Sequence, residues 1–333
     1  MYEEFFGFRE RPFDLTPNPR FLVLTDSHRE VLSNLEYGIA SRKGVTLVVG
    51  EAGSGKTTLI RTVLEKQPHR VHTVHISNPT LSREEFTQTL ASRFGLSDRA
   101  AASKAVMLQE LEALLIDRQA TGETSVLIVD EAQSLSLELL EEVRLLANIE
   151  TNEEKLLLVV LAGQPEIAER LNAPSLRQLK QRVALRCELR PLSDRETAAY
   201  IAGRIAVAGG VAARVFTREA VSRIHQASAG VPRMVSVLAD NALLGGFAKG
   251  LRPVDSATVE EVCRDFDLAV QPPRATMEAR KAPAVTSVLA LSPTVDPAGD
   301  SEESGELVTV PPAGGHGLFA MFTARRKQFF QKG

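Results

Sequence analysis

Eight consecutive residues, Gly50-Glu51-Ala52-Gly53-Ser54-Gly55-Lys56-Thr57, combine small, flexible positions with one cation and one hydroxyl. They fit the pattern G-x-x-x-x-G-K-[ST] at every fixed position. Glycine lets successive backbone N–H groups turn inward around phosphate oxygens. Lys56 is long enough to reach the outer phosphates of a nucleoside triphosphate, and Thr57 can offer its hydroxyl to a divalent cation. The adjoining Thr58 is counted with the loop. Average composition yields the pattern by chance in about 1% of chains this long. Its placement sharpens it, because the apolar run 45–49 comes directly before and a helical run, 56–66, directly after. A helix N-terminus adds a partial positive charge at the same spot.

A second constellation is Val126-Leu127-Ile128-Val129-Asp130-Glu131, an apolar run that ends in two adjacent carboxylates. Ligands of open α/β sheets sit beyond the carboxyl ends of the strands. There Asp130 can hold a divalent cation through water, and Glu131 can polarise an attacking water. Two such acids repel each other unless a cation or polar partner is near.

Weaker candidates surround these two. Gln164 follows the apolar run 156–162 and is placed to sense an outer phosphate, although Gly163-Gln164-Pro165 is also an ordinary turn. Asn78 follows the run 71–76 and could hold Glu131 in an inactive orientation. Arg177, Lys180, Arg182, Arg186 and Arg190 form a basic run. Its plain reading is a solvated face. Its functional reading is a cation reaching into a neighbouring subunit's site, with Arg182 first choice and Arg177 the reserve. In Gly230-Val231-Pro232-Arg233, Pro232 suits the first position of a helix, so Arg233 opposes the helix dipole. Phosphate offsets that cost. His69, His72 and His75 resemble a metal cluster, but odd spacing within a strand puts His72 and His75 on opposite faces.

The elements that must position these groups alternate. Runs 45–49, 71–76, 125–129, 156–162 and 183–189 read as buried strands. Stretches 56–66, 83–94, 105–119 and 137–149 read as helices. This pattern gives a parallel sheet flanked by helices, spanning 41–191. After Pro191 the strands stop. Stretches 195–207, 218–229, 232–247 and 256–266 form a small all-helical lid, 192–268, with Ser193 and Glu196 as a capping box on its first helix. Residues 1–40 are expected to pack on the nucleotide site. From 269 to 316, prolines, glycines, serines and acids dominate, and that stretch is expected to be a disordered linker. The last segment, 317–333, interleaves Phe319, Phe322, Phe329 and Phe330 with Arg325, Arg326 and Lys327.

Composition sets outer bounds. The formal net charge is −3 over 333 residues, which argues against a protein whose main task is coating nucleic acid. The two cysteines, Cys187 and Cys263, lack metal-ligand spacing and are expected to be reduced and buried. No run reaches the roughly 20 apolar residues of a membrane span, and no leader pattern opens the chain. A cytoplasmic location is expected, at most peripheral at the inner membrane through the C-terminal segment.

Together these residues resemble the AAA+ branch of the P-loop NTPases. Gly50 to Thr57 matches Walker A and Val126 to Glu131 matches Walker B. Gln164 falls where sensor 1 is expected, Arg182 where the arginine finger is expected, and Arg233 fits the Gly-x-Pro-Arg form of sensor 2. The resemblance implies ATP with Mg²⁺, hydrolysis, and ATP-dependent homo-oligomerisation. A narrower resemblance lies in Met1-Tyr2-Glu3-Glu4-Phe5-Phe6-Gly7-Phe8, Arg11-Pro12-Phe13, Pro17-Asn18-Pro19-Arg20-Phe21 and Leu35-Glu36-Tyr37-Gly38. It continues in Asp130-Glu131-Ala132-Gln133 and Ala162-Gly163-Gln164-Pro165-Glu166. These segments look like the bacterial general secretion pathway protein A family, the ExeA-type ATPases. That likeness implies support of an envelope secretion, pilus or polysaccharide export system. Longer members continue into a transmembrane helix and a peptidoglycan-binding domain, a pattern residues 269–333 do not follow. The competing readings are a DNA-associated regulator of the transposition type and a nucleotide-gated switch with little turnover.

Overall fold

A computed structural model describes residues 1–15, 19–21, 23–66, 70–77 and 80–268. The linker and tail expected over 269–333 lie outside the described residues, as do Asn78 and His69.

In chain order the elements are α1 (Tyr2–Phe6), α2 (Asp26–Ala40), β1 (Val45–Gly50), α3 (Lys56–Lys66), β2 (Val71–Ile76), α4 (Arg83–Phe94) and α5 (Asp98–Ala102). Then come α6 (Lys104–Ala120), β3 (Thr124–Val129), α7 (Leu137–Leu146), β4 (Leu157–Gly163), α8 (Pro165–Arg170), α9 (Arg177–Arg182) and β5 (Val183–Leu189). Four helices close the described chain: α10 (Asp194–Val207), α11 (Arg218–Ser228), α12 (Pro232–Lys249) and α13 (Ser256–Asp265).

The five strands form one parallel sheet in the order β2-β3-β4-β1-β5. Parallel strands covered on both faces must be apolar throughout, and β1, β4 and most of β3 are buried along their whole length. Alternation sorts their side chains. Leu47, Val49, Leu127, Val129, Val159 and Leu161 face a layer built by α4, α6 and α7. Val48, Val126, Ile128, Leu158 and Val160 face α2 and α3. Each fully buried aliphatic side chain contributes about 1.5–3 kcal/mol relative to exposure.

A separate core unites α10–α13 with the first residues of the chain. Tyr2, Phe6, Phe8, Phe13 and Phe21 pack among Ile201, Ile205, Ile224, Leu238 and Leu243. Arg204 fixes this strap by donating to the carbonyls of Pro12 (2.6 Å) and Asp14 (3.1 Å). Its guanidinium also lies 5.1 Å from the Phe21 ring centroid, a favourable cation–π distance.

Five helices, α1, α2, α5, α8 and α9, go beyond the sequence expectation, and α7 ends at Leu146 rather than at 149. Among the described residues no helix is long and apolar enough to cross a membrane.

Candidate nucleotide site

Strand order decides what can meet. β4 lies between β1 and β3, with Val49 opposite Gly163 and Val129 opposite Leu161. The carboxyl ends of β1, β4 and β3 therefore bring the loop after Gly50, the Gly163-Gln164 turn and the Asp130-Glu131 pair side by side.

The loop's glycines are demanded by geometry. Gly53 and Gly55 have φ of 80° and 97°, a region costly for residues with a Cβ. A Cβ on Gly53 would lie 2.5 Å from Cβ of Arg233, and one on Gly50 would lie 2.7 Å from Oγ of Ser54. So the loop closes tightly on itself and on the first turn of α12, where Arg233 N–H donates to the Gly53 carbonyl at 3.3 Å. α3 begins at Lys56, and the N–H groups of a helix's first turn have no partner within the helix.

Lys56 is 5% exposed, and its ammonium donates to the carbonyls of Gly50 (2.8 Å) and Glu51 (3.0 Å). Burial lowers its pKa, while the charges of Glu131 and Asp130 oppose that shift. Thr57 Oγ1 donates to Asp130 Oδ2 at 2.5 Å, and Asp130 Oδ1 accepts the Glu131 N–H at 3.0 Å. Thus the hydroxyl and the carboxylate assigned to a cation already touch. Ser54 Oγ is buried without a hydrogen-bond partner. An orphaned hydroxyl, a buried ammonium and a glycine cradle together fit a phosphate chain with its Mg²⁺.

These groups line a cleft of about 380 Å³. Gly53 to Thr58 and Glu131 form one wall, and Arg233 and Ser236 of α12 another. Leu15, Phe21, Val23 and His28 come from the first 28 residues, and Tyr200 and Arg204 from α10. His28 is buried against the loop. Its Nδ1 lies 2.6 Å from Thr25 Oγ1, it hydrogen-bonds the Ser54 backbone, and burial lowers its pKa.

Not every candidate reaches this cleft. Gln164 is the N-cap of α8 and donates its N–H to Gln133 Oε1 at 3.0 Å. Arg177 and Arg182 bound α9, which leads into the first residue of β5. Arg182 sits at the amino ends of the strands, opposite to the loop, and depresses the Lys155 pKa there in second place to burial. His72 pairs with Glu123 (2.8 Å) rather than with a neighbouring histidine. His75 lies 3.9 Å from Asp130 Oδ2.

Of the polar side chains that meet the loop and the Asp130-Glu131 pair, His28 and Gln133 were not anticipated. His28 is in a helix whose contact with the loop no local spacing announces. Gln133 Nε2 donates to Glu131 Oε2 at 2.5 Å. Its only signal in the sequence is its place in the Asp130-Glu131-Ala132-Gln133 segment.

Residues 39–171 match the AAA domain family. The chain contains an AAA domain. The matched region runs from the end of α2 through α8 and contains the loop, Asp130, Glu131 and Gln164. Over 250 residues the chain is 40% identical to general secretion pathway protein A of Aeromonas hydrophila, an alignment covering 75% of the chain and 46% of that protein. The chain therefore spans about half the length of the curated relative it matches. Among solved structures, the ORC2 protein of Aeropyrum pernix superposes with a TM-score of 0.57 at 18% identity, covering 78% of this chain and 72% of that one. Cdc6p of Pyrobaculum aerophilum gives a TM-score of 0.55 at 13% identity, covering 76% and 70%. At such identities the likeness is one of fold.

Proposed function

We propose that this AAA protein binds ATP with Mg²⁺ in the cleft between sheet and lid, hydrolyses it, and couples the cycle to an envelope secretion, pilus or polysaccharide export system. One observation carries the nucleotide reading: Gly53 to Thr58, Glu131 and Arg233, from three distant stretches of sequence, line a single cleft.

The loop N–H groups, Ser54 and Lys56 hold the phosphates. Thr57 and Asp130 hold Mg²⁺, which when bound neutralises charge on the outer phosphate oxygens. Glu131 orients a water and accepts its proton as the water oxygen attacks the γ-phosphorus and the bond to ADP breaks. Gln164 sits at the end of β4 between the two motifs without lining the cleft itself, and its proposed sensing of the γ-phosphate requires the β4–α8 turn to move toward bound nucleotide. Arg233, anchored to Gly53 through its own N–H, ties occupancy of the cleft to the lid. Arg182, at the amino end of β5 and outside its own cleft, acts on a neighbouring protomer in a homo-oligomer.

Binding is tested with a fluorescent ATP analogue and Mg²⁺. Wild type should bind with an affinity at least tenfold above that of Lys56→Ala, since a charge-assisted contact contributes about 1.5–3 kcal/mol. Equal affinities would remove the site. The export reading rests on the 40% likeness to general secretion pathway protein A. Placing Glu131→Gln in the host should reduce export of secreted protein or surface polymer, and undiminished export would sink that half of the reading.

A further inference from the structure

The turn after β3 carries a residue whose side chain is engaged at both ends. Glu131 has φ 51° and ψ 39°, left-handed for a residue with a side chain. That conformation costs about 1–2 kcal/mol and persists only where its surroundings hold it. The backbone is held there by Ser134 N–H donating to the Glu131 carbonyl at 2.8 Å and by Glu131 N–H donating to Asp130 Oδ1 at 3.0 Å, and Gln133, in the 3-10 turn Ala132–Ser134, engages the side chain. Its Nε2 donates to Glu131 Oε2 at 2.5 Å. Its Oε1 accepts the Gln164 N–H at 3.0 Å. Its main-chain carbonyl accepts from Nη1 of Arg170, the last residue of α8. Gly163 leaves the room, since a Cβ there would lie 2.8 Å from Gln133 Oε1. One amide thus joins the carboxylate at the end of β3 to the backbone at the end of β4.

We propose that Gln133 is a positioning residue for hydrolysis: it fixes the Glu131 carboxylate relative to the β4–α8 junction, leaving the second carboxylate oxygen for water. The proposal rests on the ATPase reading above. It also replaces a free side chain by one that feels movement at Gln164. Misplacing a reacting group by about 1 Å costs roughly a hundredfold in rate.

The test uses Gln133→Met, which keeps length but neither donor nor acceptor, and Gln133→Glu, which keeps the acceptor and loses the donor. Both should lower kcat by roughly 10–100-fold while the affinity for Mg–ADP stays within about twofold. In a Glu131→Gln background neither should lower kcat further, because the effect passes through Glu131. Amide exchange at Gln164 should accelerate at least tenfold in Gln133→Met and stay slow in Gln133→Glu. Unchanged or raised kcat, affinity falling in step with kcat, or an undiminished further loss in the Glu131→Gln background would overturn the proposal. Unchanged Gln164 exchange in Gln133→Met would overturn it even if wild type showed no turnover, a result that would separately defeat the ATPase reading.

Discussion

At the scale of single residues, chemistry and backbone geometry meet in Gly50 to Thr57. Gly53 and Gly55 adopt conformations that a Cβ makes costly, and Lys56 starts α3. Cys187 illustrates burial outweighing a hydrogen bond from Asn34 that opposes it. It is 3% exposed on β5, and burial raises its thiol to about 11. A raised thiol pKa means less reactive thiolate at any pH below it. At pH 8 alkylation of Cys187 should be about a hundredfold slower than that of a free thiol of ordinary pKa, and should reach the free rate on unfolding. Native alkylation at the free rate, followed by mass spectrometry, would contradict the burial. The loop and the Asp130-Glu131 pair were legible because the roles proposed for them fix residue type at set spacings. Gln133 was not. Its role depends on the left-handed turn at Glu131 and on a partner, Gln164, 31 positions away, neither of which leaves a period in the sequence. Asn78, the residue expected to restrain Glu131, lies outside the described residues.

At the scale of elements, the strands were read closely because a fully covered parallel strand is apolar from end to end. β2 and β5 matched their expected bounds, and β1, β3 and β4 differ by a residue at one or both ends. α2 was harder to see. Its buried face, Val31, Leu32, Leu35 and Ile39, is helical in spacing, but Gly38 near its end lowers helix propensity. Its cap, Thr25 accepting from His28 N, is a signal of the usual kind. Capping at α10 was legible in full. Ser193 Oγ accepts the Glu196 N–H at 3.3 Å, and Glu196 Oε2 accepts the Ser193 N–H at 2.9 Å. Ser193→Ala should therefore cost about 1 kcal/mol of stability, seen as a lower midpoint in chemical denaturation with unchanged slope. An unaltered midpoint would show that the capping box is energetically idle.

At the scale of the whole molecule, the cleft draws on three parts: the sheet's carboxyl edge, the helical lid, and the aromatic N-terminal strap that Arg204 fastens to α10. Arg182 lies at the amino end of β5, away from the cleft, and under the proposed function it acts on the site of a neighbouring protomer. Removing an arginine that acts in trans costs roughly 10³–10⁵ in rate where such groups are used. Arg182→Ala alone should be nearly inactive. Mixed with equally inactive Glu131→Gln, it should regain measurable turnover, because some interfaces then pair an intact Glu131 with an intact Arg182. A mixture no more active than its components would exclude a trans role for Arg182. The most direct measurement of the central claim is steady-state phosphate release from Mg–ATP by wild type and Glu131→Gln at equal oligomer concentration. The expected result is turnover by wild type with at least a hundredfold loss in Glu131→Gln, nucleotide affinity being retained. Equal rates in the two proteins would contradict it.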